Sequence, residues 1–118
     1  MGLLKASLVA LFACSLLSST SLATNNRKLV QEGKKIFLSK RLGNCVACHD
    51  LAGLDVPQAG AVGPKLEHLS KLPYSFLYNQ IWDAHKNNPA SIMPPFGRNG
   101  ILTKYQIKAV VAFLKTIK

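Results

Sequence analysis

Apolar side chains along the 118 residues fall into an uninterrupted run near the start and three later stripes with helical spacing. Leu29, Val30, Gly33, Ile36 and Phe37 recur at three- and four-residue intervals with charges between them, which predicts a helix over Lys28–Lys40. Gly33 interrupts it at a cost of about 1 kcal/mol relative to alanine. A close helix crossing is one reason to keep a glycine there, and a tolerated defect is the other. Leu42-Gly43-Asn44 ends this helix. Residues 50–64 carry Pro57, Pro64 and several glycines and read as loop. Pro73 opens a second helix, Tyr74–Lys86, with Leu77, Tyr78, Ile81 and Trp82 on one side. Residues 87–100 form a second loop, stiffened at Pro94-Pro95. Thr103-Lys104-Tyr105-Gln106 has the form of a capping box. Behind it Ile107, Val110, Val111, Leu114 and Ile117 make the longest stripe, opposite Lys104, Lys108 and Lys115. Phe113 flanks that stripe and is the candidate to pack on Gly33. Neither an internal repeat nor sustained strand alternation occurs. The pattern predicts an all-α domain.

The first apolar run stands apart. Lys5 precedes Ala6–Leu17, which carries no charge and is shorter than the roughly 20 residues that span a bilayer. Ser21-Leu22-Ala23 then offers small side chains at both positions a signal peptidase inspects. Residues 1–23 therefore read as a cleaved secretory signal, and residues 24–118 as a single domain starting at Thr24 and exported to the periplasm. A second reading, a lipoprotein site at Leu11-Phe12-Ala13-Cys14, is poorly served by Phe12.

Export changes the cysteine count. Of three cysteines, Cys14 leaves with the leader, and Cys45 and Cys48 remain. No further cysteine is left for the disulfides that small exported domains often use as staples. A modest core then needs another stabiliser. The formal charge is +10, or +9 without Lys5. Such a surface steers towards acidic partners or simply keeps a small domain soluble. An export signal removes nucleic acid from the candidate partners.

Those two cysteines stand in Cys45-Val46-Ala47-Cys48-His49, the spacing of a c-type haem attachment site. Each sulfur adds across one porphyrin vinyl group, and the adjoining histidine reaches the iron. A redox dithiol and a zinc site are the competing readings of the pair. A ligating histidine usually donates its other ring N–H to a carbonyl, and Pro64 is the candidate acceptor. The iron's second axial ligand is sought in Met93, which is followed by Pro94-Pro95-Phe96-Gly97. A thioether there favours ferrous iron and raises the potential relative to a second histidine. A lone methionine is otherwise core filler. His85 and His68 are the alternative ligands, each otherwise a surface histidine among polar neighbours on a helical segment. Trp82 reads as core or haem-edge packing. No serine–histidine–acid set, paired carboxylates or spare thiol suggests catalysis by this chain alone.

Haem motif, Gly-Pro loop, methionine loop and terminal helix together resemble a class I cytochrome c. Gly33 and Phe113 match the glycine and aromatic at that family's helix crossing. Gly43-Asn44 before the haem motif, Gln58-Ala59-Gly60, Gly63-Pro64, Asn88-Pro89, Met93-Pro94-Pro95-Phe96-Gly97 and Ile101-Leu102-Thr103 narrow the resemblance. They are similar to the SoxX family, the monohaem cytochrome subunits of the SoxAX sulfur-oxidation complex. That resemblance implies an all-α fold wrapped around one covalent haem c held by Cys45 and Cys48, with His49 proximal and Met93 distal on the iron. It also implies a SoxA-like cytochrome subunit as partner. The assembled enzyme, an L-cysteine S-thiosulfotransferase, joins thiosulfate to a cysteine of the SoxYZ carrier. This chain's part would be to receive electrons and pass them to a small cytochrome c, with no catalytic residue of its own. A free monohaem carrier in the periplasm is the alternative.

Overall fold

The computed structural model describes the backbone of residues 2–118 and the side chains from residue 20 onward. Most of the expected leader thus lies outside the described side chains. Helix α1 spans Gly2–Leu38, α2 Tyr74–Trp82 and α3 Lys104–Leu114. Short 3-10 turns at Cys45–Ala47, Leu69–Lys71 and Ala84–Lys86 punctuate the connections. Among the described residues there is no strand, only an isolated parallel bridge between Leu51 and Leu66. No described helix is long and apolar enough to cross a membrane.

Helices α1 and α3 form the frame. Their crossing is set by Gly33: a Cβ there would run into the Ala109 carbonyl and lie 2.9 Å from Phe113 Cβ. Phe113 meets Phe37 edge-on, with centroids 5.7 Å apart and planes at 63°. Ile36, Phe37, Ile107, Ala109, Val110, Val111, Phe113 and Leu114 are buried around this contact. The capping box starts α3 as the sequence requires: Gln106 N–H donates to Thr103 Oγ1 at 3.1 Å, and Thr103 N–H to Gln106 Oε1 at 2.9 Å. Helix α2 packs against α3, with Leu77 and Ile81 as its buried side chains.

Four expectations need correction. The first helix does not begin at Lys28, since α1 runs unbroken from Gly2. No glycine or proline lies between residues 3 and 32 to stop it. Residues 20–28 are all exposed, and core packing starts only at Leu29 and Val30. The second helix does not reach Lys86. It stops at Trp82 because Asp83 turns extended, at φ −159°, and a separate 3-10 turn follows. Nor do the two histidines sit alike on helices. His68 is exposed in the left-handed region at φ 56°, while His85 is half-buried in the 3-10 turn. Lys115 also departs from a solvated face: its ammonium donates to the Ser70 and Leu72 carbonyls at 2.6 and 2.5 Å, tying α3 to the segment before α2.

Candidate haem site

The chain leaves α1 by returning Gly43 N–H to the Ile36 carbonyl at 3.2 Å, and Asn44 enters the left-handed region at φ 47°. That reversal winds Cys45–Ala47 into a 3-10 turn. Cys48 and His49 N–H then both donate to the Cys45 carbonyl, at 3.1 and 2.9 Å. Cys45 and Val46 pack against the core. Burial, with a smaller contribution from Cys48, pushes the Cys45 thiol up to about 12. A redox dithiol needs the opposite, a thiol lowered towards neutrality. Among the described residues no group of three His, Cys, Asp or Glu assembles around the pair to hold zinc.

His49 is oriented through its Nδ1, which lies 2.8 Å from the Pro64 carbonyl oxygen. A carbonyl only accepts, so Nδ1 carries the proton and Nε2 keeps its lone pair for a metal. The expected acceptor is therefore the observed one. Gly63 presses on the same ring: a Cβ there would lie 2.6 Å from Nδ1 and 2.9 Å from Nε2. This approach is secured mainly by main chain, beside an exposed Lys65–Asp50 ion pair at 3.5 Å. Gly60 N–H donates to the Val46 carbonyl and Gly63 N–H to that of Cys48, both at 2.8 Å. Leu66 N–H donates to the Asp50 carbonyl at 2.8 Å, and Ala52 N–H to that of Leu66 at 2.9 Å. Gly60 has no room for a Cβ against the Ala47 carbonyl, which explains the glycine there. Gln58 takes a left-handed φ of 59°, an uncommon conformation for a residue with a side chain.

Met93 is half-buried and packs against the core, with its N–H donating to Ser91 Oγ at 3.2 Å. The residues after it are more deeply set: Pro95, Phe96 and Gly97 are buried. Gly97 rests on the Trp82 indole, where a Cβ would lie 2.8 Å from Cζ3 and closer still to the ring junction. Trp82 itself stacks on Tyr78, with centroids 6.1 Å apart. His85 points elsewhere, its Nδ1 lying 3.5 Å from Asp83 Oδ1. His68 is exposed beside Leu69, four residues beyond Pro64.

Sequence reasoning missed Asp83. Its side chain is 1% exposed, and Oδ2 pairs with Arg98 Nη1 at 3.0 Å. It falls off the apolar stripe of α2, so no periodicity marks it. The features that fit a covalent haem are two half-buried thiols in the attachment motif, a histidine with one nitrogen committed and the other available, and a single stiffened methionine loop.

Residues 30–118 match the cytochrome c family. No curated protein matches the chain. Among solved structures, a chain in the crystal structure of SoxXA from P. pantotrophus is 31% identical and superposes with a TM-score of 0.66, covering 73% of this chain and 79% of that one. Cytochromes c carry haem by thioether bonds and move single electrons. The chain belongs to the cytochrome c family, as a SoxX-type electron-transfer protein carrying one covalently attached haem c.

Proposed function

We propose that this chain is the electron-transfer subunit of a SoxAX-type complex and works beside a SoxA-like cytochrome in thiosulfate oxidation. The observation that carries the proposal is its likeness to SoxXA across most of both chains. In that role the assembled enzyme transfers thiosulfate to the cysteine of a SoxYZ carrier, and electrons leave through this chain to a small cytochrome c. We place it in the periplasm, with residues 1–23 removed. The exposure of residues 20–28 supports this, because the described side chains on both sides of a cut after Ala23 lie outside the core.

Haem c, when bound, supplies a one-electron ferric/ferrous couple. Cys45 and Cys48 would hold it by thioethers, and His49 Nε2 and Met93 would supply the ligands to its iron. The Pro64 carbonyl fixes the imidazole's tautomer and rotation, which would hold Nε2 in one orientation towards the iron. Gly63 limits the same ring from its side. Phe96 and Trp82 give the methionine loop an apolar neighbourhood, which would disfavour the more highly charged ferric state.

Co-expression with the SoxA-like cytochrome of the same genome tests the proposal. A stable complex whose single-haem subunit is reduced by thiosulfate in the presence of the carrier protein is the expected result. A chain that stays monomeric beside that partner, yet exchanges electrons with an acidic protein at a rate falling steeply with salt, would instead be a free carrier.

A further inference from the structure

We infer that Asp83 is a positioning residue for Met93: through Arg98 its carboxylate closes the methionine loop and sets how firmly the thioether holds the iron. The inference rests on Met93 being the distal ligand. Asp83 is the only buried charged residue among those described. A buried carboxylate costs several kcal/mol unless its oxygens are satisfied, so its partners matter. Oδ2 pairs with Arg98 at 3.0 Å, and Oδ1 accepts the His85 N–H at 3.2 Å.

These two partners lie on opposite limbs of one loop. His85 belongs to the 3-10 turn that leads out of α2, and Arg98 follows Gly97 on the returning limb. The base is closed a second time by main chain, because Gly97 and Arg98 N–H both donate to the Trp82 carbonyl at 3.1 Å. Residues 82 and 83 thus grip both ends of the segment containing Met93. Within the outgoing limb, Asn88 N–H donates to the Ala84 carbonyl at 3.0 Å, Ala90 N–H to Asn88 Oδ1 at 3.1 Å, and Met93 N–H to Ser91 Oγ at 3.2 Å. Between Met93 and the grip stand Pro94 and Pro95, whose fixed φ angles leave little slack. A shift at Arg98 is therefore passed to Met93 rather than absorbed.

Main-chain bonds alone would close the loop. The carboxylate adds directionality: a planar guanidinium meets it in few geometries, so the pair defines a position as well as a contact. Arg98 remains half in solvent, with a side chain 53% exposed. It can therefore be altered without opening a cavity.

The test is imidazole binding to the ferric holoprotein, since imidazole must displace Met93, together with the weak near-infrared sulfur-to-iron band. Asp83→Asn and Arg98→Gln should each tighten imidazole binding tenfold or more and weaken the band, while Arg98→Lys recovers most of the wild-type behaviour. Arg98→Gln serves alone if Asp83→Asn does not fold. If either variant lowers the unfolding midpoint but leaves imidazole affinity and band unchanged, the pair is merely structural and the inference is overturned. Met93→Ala separates the two ideas. If it too leaves band and affinity unchanged, the ligand assignment falls and this inference with it.

Discussion

Replacing Gly33 with alanine sets two opposing effects against each other, and the geometry decides between them. In an isolated helix the change stabilises by about 1 kcal/mol. In this protein the new methyl meets the Ala109 backbone carbonyl and comes within 2.9 Å of Phe113 Cβ. A carbonyl inside α3 cannot swing away as a side-chain tip could, so the helices must part. Opening a packed interface by even ~0.5–1 Å forfeits a quarter to a half of each dispersion contact. The edge contact between Phe37 and Phe113, at 5.7 Å between centroids, lies at that point, and such pairs contribute about 0.5–1.5 kcal/mol beyond their buried area. Overpacking of this kind costs ~1–3 kcal/mol, and an obstruction made of backbone belongs at the upper end. The net expectation is a loss of about 2 kcal/mol, equivalent for a domain this size to a Tm lower by roughly 8–16 °C. Thermal unfolding of the holoprotein followed by far-ultraviolet circular dichroism measures it. Gly53→Ala is the control: its φ is +75° but nothing lies within 4 Å of a built Cβ, so only backbone strain of about 1–2 kcal/mol applies. A Gly33→Ala protein as stable as wild type, or more stable, would refute the crossing argument.

Gly63→Ala places a methyl against the His49 ring and should weaken the Pro64 hydrogen bond. The yield of haem-loaded protein should fall, and the ferric protein's Soret spectrum should shift towards a weaker proximal ligand, with Gly53→Ala unaffected. Thr103→Ala removes the acceptor for Gln106 N–H and should cost about 1 kcal/mol, read as a lower denaturation midpoint with an unchanged visible spectrum. Met93→Ala should abolish the near-infrared sulfur-to-iron band and lower the reduction potential measured by spectroelectrochemistry.

The parts legible from residue order are those with a local cause. Periodicity located all three helices, because each buries one stripe, and the Thr103/Gln106 spacing located the start of α3 to the residue. The Gly33–Phe113 crossing was legible because a glycine inside an apolar stripe demands a neighbour. What escaped depends on contacts distant in sequence. The end of α2 could not be read from Tyr74–Lys86, since Asp83 leaves the helix for a partner fifteen residues further on. Lys115 looked like a solvent-facing charge for the same reason: its carbonyl acceptors lie at positions 70 and 72. The start of α1 was misplaced because charge and stripe begin near Lys28, whereas a helix continues until something stops it.

This contrast explains why so short a motif identifies the site. On the histidine side the work is done by backbone: Gly60, Gly63, Pro64 and Leu66 meet the Cys45–Asp50 turn through N–H and C=O groups, and only glycine permits the approach at two of them. Side chains between these points can vary without moving His49. The recognisable residues there are hence few, small and fixed in spacing. On the methionine side closure also draws on side chains, Trp82 beneath Gly97 and Asp83 opposite Arg98. The histidine should therefore tolerate loop substitutions that leave glycines in place, while the methionine should be sensitive to changes at α2, a dozen residues from it. On the proposed ligand assignment the two positions are open to independent tuning. Alterations at the end of α2 should then change the hold on Met93 while Cys45, Cys48 and His49 remain as they are.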